Sequence, residues 1–463
     1  MTLVMRLAEA GQLRRMTMMG IVVAALGLTI IAGLGRLPGG PLVLGGAIGA
    51  LVGVVLMLGR LEFGLLLLPA VAVLAPFGLG TGTATTLVAS LLLAACLIAL
   101  WLARMLAKRD LRVVRSPINL PLAGFVGAAC LATLSSQVFR DPLVLFVPSF
   151  PQIQLGGLSV FIISAGLFVV AMNCLRTARL VTWLTWIMIG LGTVTLAAYL
   201  LLPGGDPGFV AIGGLFSLWV VSLAVGQALF NQRLAPVVRL LLLALAGAWL
   251  ARRLFVEIGW FSGWLPILVS VATIVALRSW RLLVLGVTVA ALVVTVNWGF
   301  FAQAYDEQVS GQDSQGNEAR LDVWDRAVTA IHDQWLLGLG PVGYAPYYMT
   351  YAPDDARSSH SNYVDILAQT GVVGSFFFGW FLVALGVVGV QARRRWPTGL
   401  LGGFASGALG GLIGMTVAMA LGDWVIPFVY NQTIAGFRFT MHSWLILGTL
   451  AALPHLRTEK GAG

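Results

Sequence analysis

Charge is what this sequence has least of. Only 10% of its 463 residues are Asp, Glu, Lys or Arg, whereas a soluble domain carries about 25%. So few charges cannot cover a water-facing surface, which excludes an ordinary soluble globular protein. Cysteine is scarce as well. Cys96, Cys130 and Cys174 all fall inside apolar runs without paired spacing, so neither a disulfide framework nor a zinc site is read from them. They serve as small hydrophobes.

What the chain holds instead is hydrocarbon. It is 59% hydrophobic, with a mean hydropathy of +0.93. Many apolar runs are close to the ~20 residues that cross about 30 Å of bilayer. Backbone groups in lipid must be satisfied within their own segment, so these runs are expected to be helices. The 56 glycines fit that expectation, because small residues let membrane helices approach closely. Residues 1–16 form a short basic amphipathic lead without a small-residue cleavage site, and retention is expected.

The fold class expected is an all-α polytopic membrane protein. Hydropathy marks about 14 transmembrane helices, near 17–35, 41–59, 62–79, 85–105, 119–137, 157–175, 180–202, 208–230, 235–251, 263–278, 282–300, 361–390, 398–420 and 440–454. The third is interrupted by Pro69 and Pro76, so a re-entrant segment is an alternative there. The expected division is 1–300 for the N-terminal helices, 301–360 for a large extracytoplasmic loop, and 361–463 for the C-terminal helices. With both termini in the cytoplasm, 20 of the 28 Lys and Arg fall on inner connections. That separation follows the positive-inside rule and predicts a multi-pass protein of the cytoplasmic (inner) membrane. The net charge of +10 then reflects basic loops beside anionic membrane lipids, and no nucleic acid partner is implied.

Acids are distributed the opposite way. Ten of the 18 lie between Asp306 and Asp365, in the long hydrophilic stretch. A loop of that length is uncommon unless functional or disordered. Its pattern of Leu321, Trp324, Val328, Ile331 and Trp335 predicts an amphipathic helix over 317–336, with Asn317 as N-cap. On the helical wheel Arg320 falls on the buried stripe. It is aimed either at a ligand or along the apolar face as a snorkelling side chain. Arg326 falls outside the stripe, one turn from Asp322, where an exposed i,i+4 pair is expected.

The segment GLGPVGY follows, and its glycines suit tight turns or close approach of the backbone. It has no Lys and Ser/Thr of a Walker motif. Next comes RSSHSNYVDILAQTGVVG, which opens a span. His360 therefore sits at the water–membrane junction, where a neutral imidazole can accept a proton near neutral pH. Asp365 is a candidate to orient it, although five residues is poor helical spacing for direct contact.

Arg320 and Trp324, then GLGPVGY, then His360 with Tyr363, Gly371 and Gly374, together resemble the loop of the O-antigen ligase and O-antigen polymerase superfamily. The specific resemblance covers residues 317–374. It implies a GT-C-like membrane fold and a glycan donor carried on undecaprenyl pyrophosphate. The family's histidine maps onto His360 and its loop arginine onto Arg320. Three departures stand out. Ser361 follows the histidine where the family often has Asn, Gln369 stands where it often has an acid, and the family's Ser-Arg pair is replaced by the region of Arg252 and Arg253.

The resemblance implies inverting transfer to a lipid or glycan acceptor hydroxyl, with His360 as base. Growing charge on the pyrophosphate needs a cation. A metal-free set is favoured: Arg320 with Arg252 or Arg253, and Arg36, Arg140 or Arg438 in reserve, since arginine matches phosphate geometry. No DxD is present, and Asp306-Glu307 and Asp354-Asp355 read as solvated charges or as a divalent-ion site. No cofactor is implied. Tyr344, Trp324, Tyr363 and Asp365 are possible supporting residues, and Trp335, Tyr347 and Tyr348 are either sugar-facing or interfacial belt residues. A transporter or flippase for a lipid-linked solute, or a non-catalytic assembly partner, suits the same span count.

Overall fold

The computed structural model describes residues 60–75, 78–80, 86–201, 213, 215–256, 261–303, 322–351, 359–427 and 432–456. The expected spans 17–35 and 41–59 therefore lie outside the described residues. The other twelve coincide with helices. These are α1 (Leu61–Leu74), α2 (Ala89–Ala107), α3 (Asn119–Val138), α4 (Phe150–Cys174), α5 (Ala178–Leu201), α6 (Phe216–Phe230), α7 (Pro236–Phe255), α8 (Phe261–Arg278) and α9 (Trp280–Val296). After the loop helices α10 (322–330) and α11 (Ala345–Tyr351) come α12 (Asn362–Arg395), α13 (Gly399–Leu421) and α14 (Phe437–Ala452). Seven of the helices are long and apolar enough to cross a bilayer: α2, α3, α4, α5, α8, α12 and α13. The protein is thus an all-α polytopic membrane protein.

The third expected span ends early. α1 stops at Leu74, and a two-stranded antiparallel hairpin follows, β1 (Gly78–Gly80) with β2 (Thr86–Val88). Pro69 is accommodated inside α1. The hairpin departs from pure helix, and pairing two strands satisfies backbone groups that a broken helix would leave open.

Small residues set the centre of the bundle. α13 packs most closely on α6 and α8, and its Gly407 passes so near α6 that an added Cβ would sit 2.6 Å from the Ser222 carbonyl. In hydrocarbon such close approach supplies the van der Waals contact that drives helix association. α14 packs on α4, and α12 on α3. α9 has no buried residue; its apolar side chains face outward.

The two ends of the bundle differ in chemistry. At one end Arg176 donates to the His455 carbonyl, Arg393 to Leu277 and Arg395 to Pro454. At the other, the ends of α3, α4 and α12 meet the loop segments 332–351. Gln334 donates to the Phe139 carbonyl at 2.6 Å, Gln154 to Leu339 at 3.1 Å, and the Leu145 amide to Thr350 Oγ1 at 3.0 Å.

Candidate active site

The loop helix α10 is present where the periodicity of its sequence places it, with a shifted buried face. Val323, Ala327 and Ile331 are buried, a spacing of four that keeps one stripe inward. Val328 and Trp335 are 50% and 56% exposed, which corrects the expected stripe. The helix gives way to a 3-10 turn at His332–Gln334, so Trp335 no longer follows its period. Arg326 pairs with Asp322 one turn away, as the wheel predicts. Arg320, Leu321 and the proposed cap Asn317 lie outside the described residues.

Polar bonds lock the GLGPVGY loop to the bundle. Gly338 and Gly340 take φ of +69° and +78°, and Val342 +62°. The Val342 amide donates to Gln369 Oε1 at 2.9 Å, so the residue standing in place of a frequent acid works here as an acceptor. Gln154 holds Leu339 and itself accepts from Ser136 at 2.9 Å. The matching break is in α12, where Gly371 (φ 63°, ψ −167°) interrupts the helix. That break frees two amides, and Val372 N–H donates to Trp335 O at 3.0 Å and Val373 N–H to Leu336 O at 3.2 Å.

His360 occupies the tip of a pinned turn at the start of α12. It is exposed, with φ of +48°, a conformation uncommon outside glycine although His is among the residues enriched there. Its neighbours hold it. The Ser359 hydroxyl donates to Asp365 Oδ1 at 2.6 Å and accepts from Ser361 N–H at 3.1 Å. Trp324 Nε1 donates to the Ser359 carbonyl at 2.7 Å, and this ties α10 to the turn. Tyr344 OH donates to the same Asp365 oxygen at 2.6 Å. Burial, and next the Asp365 carboxylate beside it, push the Tyr344 phenol well above its usual value, so it stays a donor. Asp365 thus clamps the backbone flanking His360 through Ser359.

Sequence reasoning missed the segment after α13. Asn362 is fully buried and braces that segment. Its Nδ2 donates to Ile426 O at 2.7 Å, and its Oδ1 accepts from Val425 N–H at 2.8 Å. Asp423, 3% exposed, accepts from Gln432 Nε2 at 2.7 Å and is close enough to act on Asp365 electrostatically. Beside Gln432 a cavity of about 350 Å³ is lined by Trp424, Arg438 and Phe439. The reserve arginine Arg438 lines this cavity and lies 4.4 Å over the Phe439 ring. An acid at the end of an apolar run was the available signal for Asp423.

The other expected residues spread further. Arg252 lies 4.2 Å over the Tyr199 ring, and Arg253, 4% exposed, lies 6.0 Å over Trp249, at the end of α7. Arg140 lies over Phe146 and Phe150. Tyr363 OH donates to the Thr416 carbonyl at 2.9 Å, which fastens α12 to α13. Arg36 and the acidic pairs Asp306-Glu307 and Asp354-Asp355 lie outside the described residues.

Fold and site together define a many-span membrane protein with a folded loop at one end of its bundle and His360 exposed beside the turn that buried Asp365 holds. Residues 218–379 match the family model described as O-antigen ligase. That match covers less than half of the chain and makes this region, which includes His360, similar to O-antigen ligases. No curated protein matches the chain.

Proposed function

We propose that this protein is a metal-independent inverting glycosyltransferase that moves a glycan from undecaprenyl pyrophosphate to an acceptor hydroxyl at the extracytoplasmic face of the cytoplasmic membrane. The observation carrying this is the His360 turn. A histidine held in a left-handed conformation, exposed, and clamped on both sides through Ser359 and Asp365 is positioned for proton transfer, and it lies inside the matched region.

In the reaction the acceptor oxygen attacks the anomeric carbon as the bond from that carbon to the pyrophosphate oxygen breaks. The acceptor's proton passes to His360, and undecaprenyl pyrophosphate leaves with the bonding electron pair. A base of this kind contributes about 10²–10⁴-fold. Charge growing on the pyrophosphate is met by arginine, with Arg320 and Arg252 or Arg253 as the assigned set and Arg438 in reserve. The cationic fork fits phosphate oxygens. The ligase reaction, with a lipid-core acceptor, is preferred slightly over polymerase activity. Residues 301–360 act as the catalytic loop between the helix sets 1–300 and 361–463, with both termini cytoplasmic.

The test uses purified protein in nanodiscs with undecaprenyl-pyrophosphate-linked glycan, acceptor and EDTA, followed by gel shift. Transfer should survive EDTA and fall at least 100-fold in His360→Ala. Normal transfer by that variant would remove His360 as base, and loss with EDTA would restore a metal. Chain lengthening without added acceptor would assign the polymerase reaction.

A further inference from the structure

An open groove of about 1460 Å³ runs along the other side of α10, away from the His360 turn. It is larger than the roughly 300–1,000 Å³ typical of small-molecule sites. Its walls are tied together, since Gln334 holds the Phe139 carbonyl and Thr350 holds the Leu145 amide. The lining combines exposed aromatic rings with carboxylates. Trp335 is 56% and Tyr351 61% exposed, while Asp141, Asp325 and Asp333 stand around them. Asp141, Tyr351 and Asp333 all act on the Tyr347 phenol, which burial chiefly, and then these neighbours, push up to about 12.

We propose that this groove binds the carbohydrate chain of a substrate, several hydroxyl-rich sugar rings long. Aromatic rings give flat apolar surface for the C–H faces of sugars, and carboxylates accept hydrogen bonds from their hydroxyls. The acids disfavour a polyanion such as nucleic acid. Of the two arginines lining the groove, Arg326 is paired with Asp322 and Arg140 lies over Phe146 and Phe150. The groove is joined to the catalytic turn by one aromatic layer. Its wall residue Tyr348 stacks edge-on with Tyr344 at 5.6 Å, and Tyr344 bonds Asp365. The identity of the ligand rests on the glycosyltransferase reading, but its test is one of binding and not of transfer.

Full-length protein in nanodiscs would be titrated calorimetrically with two lipid-free probes. One is the repeat oligosaccharide released by mild acid from the carrier-linked pool of the source cells. The other is the delipidated oligosaccharide of the cell-surface acceptor. Binding of the first, the second or both is expected, and which one binds assigns the groove to donor or acceptor. Trp335→Ala and Tyr351→Ala should each weaken binding about tenfold with an unchanged unfolding temperature, because both rings are largely exposed. His360→Ala should bind as the parent does. Absence of binding by both probes, or parental affinity in both aromatic variants, would overturn the proposal. A His360→Ala protein that still transfers glycan while binding sugar would sink the catalytic assignment alone.

Discussion

At the scale of single residues the site depends on side chains that never face substrate. Ser359 is buried and uses one hydroxyl to join Asp365 Oδ1 to the Ser361 amide across His360. Removing it leaves a buried carboxylate and an amide without that partner, at a cost of about 1–3 kcal/mol. The Ser359→Ala protein is expected to fold and to bind donor while its turnover falls roughly tenfold or more, as a misplaced base does. Unchanged turnover would mean that the left-handed turn stands without the clamp. The role of Asp365 was half legible. Its nearness to His360 in sequence suggested an orienting acid, yet its bonds go to Ser359 and Tyr344, a relation created by the turn and by a residue from another segment. Asn362 shows the same limit. One position later than the family's usual Asn, it braces residues 425 and 426, which are distant in sequence.

At the scale of elements, helices followed from hydropathy and the breaks between them did not. Gly371 lies in a run that reads as uninterrupted span, but its φ of +63° with ψ of −167° belongs to a region open essentially to glycine alone. An added Cβ would meet the Leu336 carbonyl carbon at 2.5 Å. Gly371→Ala should therefore destabilise the protein by at least about 1–3 kcal/mol and release the loop, seen as a lowered unfolding midpoint and faster proteolysis near residues 335–343. A variant with parental stability and cleavage would show that the latch between loop and α12 is dispensable. In α10 the helical period was readable. Which edge of the stripe is buried was not, because that depends on where the helix stops and on the packing of Tyr344 and Tyr348 against it.

For the whole molecule, the asymmetry of charge predicts orientation. Arg176, Arg393 and Arg395 bind carbonyls at one end of the bundle, and the folded loop occupies the other. In a background with Cys96, Cys130 and Cys174 replaced by Ser, Thr329→Cys is expected to react with an impermeant maleimide in intact spheroplasts. Lys108→Cys is expected to react only after permeabilisation. The reverse pattern would invert the protein and place His360 in the cytoplasm.

The sequence by itself determined the solvent of this protein and most of its helices, because scarce charge and long apolar runs have one outcome when unpaired backbone groups are costly in hydrocarbon. It also determined which segment carries the polar chemistry, since acids and aromatics concentrate there. Only the tertiary structure decided which residues share the site. The turn after α13 brings Asp423 close enough to act on Asp365, and Gln369 accepts from a loop amide. Arg140, Arg252 and Arg253 instead lie over aromatic rings. Hydropathy is a property of each segment alone, whereas a site is formed by segments far apart in the chain, and their contacts are fixed by close packing of helices that no single run encodes.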